Sequence, residues 1–242
     1  ALDAAAQRAN EERFGLNLPW QQQYLRTVGG ALIGDFGMSY KQAEQPVLRI
    51  LLAGLPASAW IGALALLTAL AAGLTAGALA VRRPGGVLDR TLTGASAFGM
   101  ALPAFVVGPL LALLFARVLG WLPALGWNGF FAMTVVLPVA TLALPFAARI
   151  ARLARAGLLD ALTSEHVRTA RAKGASPLRV LIRHAAPTGL APVIAFLGPA
   201  SAGLLTGSVA IEMVFQIPGI GREFVVAAIN RDYSVVMGTV ML

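Results

Sequence analysis

Residues 50–81 read ILLAGLPASAWIGALALLTALAAGLTAGALAV and contain no charged side chain. About 20 apolar residues cross the hydrocarbon core of a bilayer as an α-helix. Three further uncharged stretches, at residues 91–116, 118–148 and 185–211, are each long enough for one crossing. Hydrophobic residues make up 57% of the chain and charged residues 12%, whereas a water-soluble domain needs more polar surface. The sequence therefore predicts an all-α, polytopic membrane helical bundle with four complete spans.

The two ends of the chain differ from these spans. Residues 1–49 hold five basic and five acidic side chains and no basic segment followed by an apolar run, so we expect a water-exposed segment rather than a signal peptide. A last apolar run begins after Asp232 and reaches only Leu242, which is too short for a crossing. We therefore expect that the sequence ends inside a helix and that residues before Ala1 are missing.

The basic residues lie on one side of this topology. The two loops on that side hold eleven Lys and Arg residues against three acidic ones. Because short cytoplasmic loops collect Lys and Arg, we place these loops in the cytoplasm and residues 1–49 outside. A pI of about 11.2 can also indicate nucleic-acid binding, but here the charge lies beside membrane spans and requires no such partner.

The longest basic loop contains the stretch EHVRTARAKGASPLRVLIRHAAP at residues 165–187. Residues 165–173 are fair helix formers, and Gly174 is a natural C-terminal stop. Ser176 and Pro177 predict the N-cap and the first turn of a second helix. The sequence therefore predicts two short helices with a break between them.

Helical spacing gives the first of these helices two different faces. Val167, Ala170 and Gly174 share one face, where small side chains would permit close docking of a partner. Arg168 and Arg171 form a basic pair three residues apart, which suits an acidic partner surface. From composition alone, a positive loop that only fixes topology is the better explanation of the stretch.

A histidine general base is absent from the predicted spans. His166 and His184 lie in the cytoplasmic loop, which leaves an intramembrane serine protease without a histidine base. Lys41 and Lys173 are followed by Gln and Gly, so neither belongs to a P-loop. The chain has no cysteine, which excludes thiol catalysis and thiolate metal sites. We predict no catalytic residue, no metal site and no bound cofactor. The residues alone do not exclude a passive channel as an alternative function.

Glu212 follows the last complete uncharged stretch. An ionisable residue at a membrane span is by default a candidate ion or proton site. Its place at the outer edge of the span favours an interfacial or packing role instead.

The order of residues in the cytoplasmic loop resembles the EAA loop of ABC importer permeases. In that loop a glycine follows a small-residue helix, and a proline comes twelve or thirteen residues later, as Gly174 and Pro187 do here. Arg168 stands where other importers carry the acidic residue that names the loop, and Thr169 and Ala170 occupy the two small positions. This form resembles the peptide-importing branch of the family.

The resemblance extends over almost the whole chain. Further strings that look like the B-type permease of oligopeptide importers, in chain order, are GDFGMSY (34–40), LPAFVVGPLL (102–111), WLPALGWNG (121–129), GPASAGLLTGSVAIEMVF (198–215), QIPGIGREF (216–224) and NRDYSVV (230–236). Many such strings in the same order make the match specific.

The resemblance implies a type I ABC importer transmembrane domain at residues 50–242, an extracytoplasmic segment at 1–49 and a cytoplasmic coupling loop at 160–187. By this template the first family helix and most of the last are missing. The implied protein is a multi-pass, non-catalytic permease subunit of the bacterial cytoplasmic (inner) membrane that forms half of a translocation pore. B-type subunits for dipeptides, nickel and glutathione look similar, so these cargoes remain alternatives to oligopeptides.

The family also implies partners and a coupling site. The partners are a second related permease subunit, two cytoplasmic ATPase subunits that bind ATP and Mg²⁺, an extracytoplasmic peptide-binding protein and membrane lipid. The coupling residues implied by the match are Glu165, Val167, Arg168, Thr169, Ala170, Arg171, Gly174, Pro177, Arg183 and Pro187.

Overall fold

The computed structural model describes residues 17–42, 45–205 and 208–242, and these residues are predominantly helical. Their only extended pairing is a single antiparallel bridge between Met38 and Pro46. The α-helices are α1 Trp20–Leu32, α2 Val47–Ala80, α3 Val87–Ala101, α4 Ala104–Leu111, α5 Val136–Leu162, α6 Glu165–Ala172, α7 Pro177–Arg179, α8 Ala186–Gly189, α9 Ala191–Leu205, α10 Val209–Phe215, α11 Ile220–Ile229 and α12 Tyr233–Met241. Two π-helical segments, Ala112–Val118 and Val180–Ala185, and a 3₁₀ turn, Met133–Val135, complete the helical structure of these ranges.

The described residues divide into two compact units, one within residues 17–54 and 223–242 and the other within residues 55–222. In the first unit, the buried Asp232 side chain accepts hydrogen bonds from the Ser39 hydroxyl and from the backbone N–H groups of Tyr40 and Lys41. The start of α2 packs against α12, where a Cβ on Gly238 would lie 2.6 Å from a Val47 methyl group. The placement of residues 1–49 outside the membrane stays a prediction.

Two helices are long and apolar enough to cross a membrane, Val47–Ala80 and Met133–Leu162. Two bent pairs also qualify if each is one span: Val87–Ala101 with Ala104–Val118, bent by 105°, and Pro177–Gly189 with Ala191–Leu205, bent by 57°. Up to four spans in the described residues agree with the four predicted from the uncharged stretches.

The break between α3 and α4 falls at Leu102 and Pro103. Proline has no N–H to donate and forces the preceding residue out of the helical region. Leu102 accordingly has extended backbone angles, φ −81° and ψ 123°.

The third predicted stretch, residues 118–148, differs from the observed helix. The long helix begins at Met133 and continues to Leu162, past three arginines that were assigned to the loop. Residues 119–132 are irregular because Gly120, Gly126 and Gly129 adopt positive φ angles of 66°, 101° and 107°. Counting charges locates apolar stretches but does not locate these turns.

Small residues bring the spans of the second unit into backbone contact. A Cβ on Gly73 would lie 2.7 Å from the Ala147 carbonyl oxygen, and one on Gly77 would lie 2.7 Å from the Ala154 Cβ. A Cβ on Gly62 would come within 2.0 Å of the Leu204 carbonyl oxygen. Close approach at glycine is the usual way in which membrane helices pack. Gly73 and Gly77 therefore have a helix-packing role.

Candidate coupling site

The loop between α5 and α8 contains the two short helices predicted from its sequence. The first, α6, ends at Ala172, and Gly174 adopts a left-handed φ of 77°. The Gly174 N–H donates to the Arg171 carbonyl at 2.9 Å, and the Ala175 N–H donates to the Ala170 carbonyl at 3.2 Å. Glycine adopts this conformation without the steric penalty of a side chain. The chain therefore turns sharply here because of Gly174.

The second helix begins at Pro177 and continues as the π-helical segment Val180–Ala185. Ser176 occupies the N-cap position, but its side chain makes no capping hydrogen bond. The predicted cap is thus correct in position only, and the fixed φ of Pro177 suits the first turn of a helix.

The inner side of α6 packs on its own chain. Val167 has no exposed surface and Ala170 is 7% exposed. Val167 belongs to a cluster with Leu158 of α5 and Val180 of the following helix. The structure therefore corrects the predicted docking face. Val167 and Ala170 anchor α6 to the rest of the chain and are not available to a partner.

The outer side of α6 is polar and open to solvent. Arg168 Nη1 donates to Glu165 Oε1 at 2.9 Å, and both side chains are largely exposed. Thr169 Oγ1 donates to the Glu165 carbonyl at 3.1 Å, which leaves the methyl group and the helix surface around it accessible. Exposed members of the predicted coupling set are Glu165, Arg168, Thr169, Arg171, Gly174, Pro177, Arg183 and Pro187.

His166 ties α6 to the second half of the loop. Its ring Nε2 lies 3.0 Å from the His184 carbonyl oxygen, so the ring donates a hydrogen bond from this nitrogen. The same nitrogen lies 3.4 Å from the Ser164 hydroxyl. Both histidines are therefore structural parts of the loop, as their positions in the sequence predicted.

A cavity of about 700 Å³ opens beside the break between the two short helices. Its walls include Arg82 from the α2–α3 loop, Arg171 from α6, and Pro177 and Leu178 from the second helix. Leu178 and Ile182, one helical turn apart, are exposed apolar side chains. The surface of the loop therefore combines basic groups with a small apolar strip.

The two helices that carry the loop touch through their backbones. A Cβ on Gly157 of α5 would lie 2.0 Å from the Gly189 carbonyl oxygen, and one on Gly189 of α8 would lie 2.7 Å from the Gly157 carbonyl oxygen. No side chain fits between α5 and α8 at this point. Sequence reasoning did not single out either glycine, because the two are far apart along the chain.

An ion pair between the buried Asp89 carboxylate and the partly exposed Arg155 guanidinium joins α3 to α5 near the same loop. The Arg155 guanidinium holds Asp89 with two hydrogen bonds, of 2.5 Å from Nε and 2.7 Å from Nη2. The Gly85 N–H donates to the same carboxylate at 2.8 Å, and the Thr93 hydroxyl does so at 3.3 Å. Bidentate pairs of this kind are strong and directional. The pair therefore fixes the start of α3 against α5.

Glu212 lies outside the four candidate spans and is buried in a different network. Ser58 donates to Glu212 Oε1 at 2.7 Å and accepts from the Ile220 N–H at 2.9 Å. The Arg222 N–H donates to Oε2 at 3.0 Å. Burial raises the pKa of the Glu212 carboxyl, and these hydrogen bonds oppose that rise. A Cβ on Gly219 would lie 2.3 Å from Oε2, so the backbone wraps tightly around the carboxylate and the predicted packing role is confirmed.

A family model for the binding-protein-dependent transport system inner membrane component matches residues 69–242. The chain belongs to this family. The match contains α3 to α12, and therefore the coupling loop and both helices that carry it.

Relatives of this inner-membrane component confirm the resemblance noted in the sequence. The oligopeptide transport system permease protein OppB of Haemophilus influenzae is 43% identical over 232 residues, which are 96% of this chain and 76% of the relative. OppB of Escherichia coli is 40% identical over the same length. The dipeptide transport system permease protein DppB of Lactococcus lactis is 38% identical over 231 residues, or 95% of this chain and 75% of the relative.

Solved structures agree on the fold. A chain of the MetNI methionine ABC transporter in an inward facing conformation gives a TM-score of 0.67 at 19% identity, covering 81% of this chain and 89% of that one. A chain of an amino acid ABC transporter crystallised with histidines gives a TM-score of 0.61 at 15% identity, covering 79% and 85%. The component is thus an all-α transmembrane domain of the ABC importer type. It is a multi-pass permease subunit of the inner membrane.

Proposed function

We propose that this component is one of two related permease subunits of an ATP-driven peptide importer, and that it forms half of the translocation pore. The observation that supports the cargo is 43% identity to an oligopeptide permease over 96% of the chain. Identity to a dipeptide permease is 38% over a similar share. The cargo proposed is therefore a peptide, without a fixed length.

The proposed partners are two cytoplasmic ATPase subunits that bind ATP and Mg²⁺, a second permease subunit and an extracytoplasmic peptide-binding protein. Arg168, Thr169 and Arg171 support the ATPase contact because they lie on the exposed side of α6. Arginine forks suit acidic surfaces, and the exposed Leu178 adds apolar contact area.

The packing of α6 supports a route by which movement of the ATPase subunits reaches the membrane spans. Closure of the ATPase dimer on ATP would displace α6, and Val167 is packed between Leu158 of α5 and Val180. Because packed interiors transmit displacement, the movement passes from α6 into the spans. Rigid-body movement of the two permease subunits would then turn the pore from one side of the membrane to the other. In this scheme the permease itself performs no chemical step.

Uptake by the complete importer tests the proposed function. The importer, rebuilt in vesicles with its binding protein, should accumulate labelled peptides of two to six residues when ATP is supplied. Vesicles with ADP in place of ATP serve as the control. Equal accumulation with ADP would indicate a passive channel, and absence of peptide uptake under both conditions would refute the peptide cargo.

Charge reversal on α6 tests the coupling surface. Arg168→Glu with Arg171→Glu should lower ATP-dependent peptide uptake by about tenfold or more, because two interface arginines are replaced by repelling charges. Both side chains are exposed, and an exposed pair such as Glu165–Arg168 adds little stability, so the variant should still insert. Copurification of the ATPase subunits and the uptake rate are the measurements.

Arg90→Glu is the matched control, because Arg90 is an exposed arginine on the same predicted side and outside the loop. It should retain uptake near that of the unmodified importer. Normal uptake by the α6 variant, or equal losses for both variants, would contradict a coupling role for this face.

A further inference from the structure

An aromatic cluster forms where the irregular segment 119–132 packs on α2. The Trp60 ring makes edge-on contacts with the rings of Phe130 and Phe131, with ring centres 5.9 Å and 5.0 Å apart. Trp127 makes a contact of the same kind with Phe130, at 5.3 Å. The Trp60 indole N–H donates a hydrogen bond to the Phe130 carbonyl oxygen at 2.6 Å. These contacts fix the end of the segment to one level of α2.

Much of the apolar surface at this cluster is exposed. Phe131 is 90% exposed, Met133 66% and Phe130 42%. Trp121, in the same segment, is 69% exposed. Residues 118–148 contain no charged side chain, so the exposed surface has no charged rim within this stretch. Contiguous exposed apolar surface marks a place where a protein contacts something other than water.

The position of the cluster along α2 places it at a boundary of the membrane. Arg82 and Arg83 follow the end of α2 at Ala80. Trp60 precedes Ala80 by about 30 Å along the helix axis, at a rise of about 1.5 Å per residue. The hydrocarbon core of a bilayer is about 30 Å thick, and arginines beside a span lie at its surface. With the two arginines at one surface of the bilayer, Trp60 lies at the other.

Helix α5 places the cluster at the same level by a separate measure. The long helix begins at Met133, and its first charged residues, Arg149 and Arg152, lie about 24 Å and 28 Å further along the axis. The two helices lead away from the cluster side by side, since their backbones are in contact at Gly73 and Ala147. On both helices, the basic residues and the aromatic cluster are therefore separated by about one hydrocarbon thickness.

We propose that the exposed side of the aromatic cluster, formed by Phe131 and Met133, is a contact surface for membrane lipid on the bilayer face opposite the basic loops. Lipid surrounds the ends of the spans in a multi-pass inner-membrane protein, and aromatic side chains are favoured at the headgroup level. Trp60 holds the segment through its hydrogen bond to Phe130, which leaves Phe131 to enter the lipid. The connection between Val118 and α5 thus lies along the membrane surface rather than extending into water.

A nitroxide label at position 131 tests the proposal in the complete importer in lipid vesicles. The chain contains no cysteine, so Phe131→Cys carries a single label when the other subunits are cysteine-free variants. Collision rates with oxygen, which concentrates in lipid, and with a water-soluble nickel chelate give the depth of the label, calibrated with spin-labelled lipids. We expect the label about 5–10 Å below the boundary between headgroups and acyl chains.

Leu67→Cys is the matched control. Leu67 is 63% exposed on α2 and lies about 10 Å beyond Trp60 toward the centre of the membrane. Its label should be deeper than the label at position 131 by about that distance. Equal depths for the two labels would contradict an interfacial position of the cluster.

Three other results would overturn the proposal. A label at position 131 that collides mainly with the nickel chelate would place the segment in water. A label reached by neither reagent would show that another protein subunit covers the cluster. Loss of oxygen collisions on addition of the extracytoplasmic binding protein would assign the surface to that protein. If the Phe131→Cys importer does not assemble, Met133→Cys decides by the same depth measurement.

Discussion

Asp89 and Glu212 are both carboxylates with 3% of their surface exposed, yet they are stabilised in different ways. Asp89 faces a formal positive charge, since Arg155 donates two hydrogen bonds to it. Glu212 receives its hydrogen bonds from neutral groups, the Ser58 hydroxyl and backbone N–H groups. Asp89 joins two spans near the cytoplasmic loop. Glu212 lies within a backbone turn that packs closely around its carboxylate.

The difference predicts how each site responds to substitution. Removing the buried carboxylate of the ion pair leaves the partly exposed Arg155 guanidinium without its counter-charge, which is destabilising. Removing a neutral donor leaves a polar group unpaired, which has a smaller effect. The melting temperature of the purified chain in detergent, followed by tryptophan fluorescence, measures both responses on one scale.

Breaking the ion pair should have the largest effect. Asp89→Asn keeps the shape of the side chain and removes its charge, so that Arg155 loses its counter-ion. We expect the melting temperature to fall by about 8 °C. The double variant Asp89→Asn with Arg155→Gln should recover at least about half of that loss, because neither site then carries a charge. If the double variant does not recover, the unpaired Arg155 charge is not the cause of the fall in melting temperature.

Removing the hydroxyl of Ser58 should have an intermediate effect. Ser58→Ala leaves Glu212 Oε1 without its donor and the Ile220 N–H without its acceptor. We expect a fall of about 4 °C. Thr75→Ala is the matched control on α2, since its hydroxyl bonds only to the Ala71 carbonyl of its own helix. A fall as large as that for Asp89→Asn would remove the distinction between the two carboxylates.

Removing the hydrogen bond from the Thr93 hydroxyl to Asp89 should have the smallest effect on the melting temperature. Thr93→Val removes the longest hydrogen bond to Asp89, at 3.3 Å, and retains the Arg155 and Gly85 donors. We expect a change of about 1 °C. A fall comparable to that for Ser58→Ala would show that Arg155 and Gly85 together do not satisfy Asp89.

Local signals in the sequence were sufficient for the coupling loop. Gly174 and Pro177 act through their own backbone preferences, and the break between two short helices follows from them. The direction in which α6 faces does not follow from such local signals. Val167 is buried because it packs against Leu158 and Val180 of other helices. The spacing of residues within α6 does not predict which of its faces makes this contact.

The same reason explains the parts of the site that sequence reasoning missed. Asp89 and Arg155 are separated by 66 positions, and both were counted as loop charges that fix topology. Their pairing depends on how α3 packs on α5. The full extent of α5 was also missed, because the end of the uncharged stretch at residue 148 is not the end of the helix, which runs on to Leu162.

The contact between Gly157 and Gly189 fixes the point at which α5 and α8 cross. With backbone against backbone, any side chain added at either glycine would push the two helices apart at this crossing. On one side α5 ends at Leu162 after about 8 Å, and on the other it reaches Val136 after about 32 Å. The crossing therefore divides α5 into arms in a ratio of about four to one and lies close to the cytoplasmic loop, so a substitution that opens it acts on the attachment of that loop.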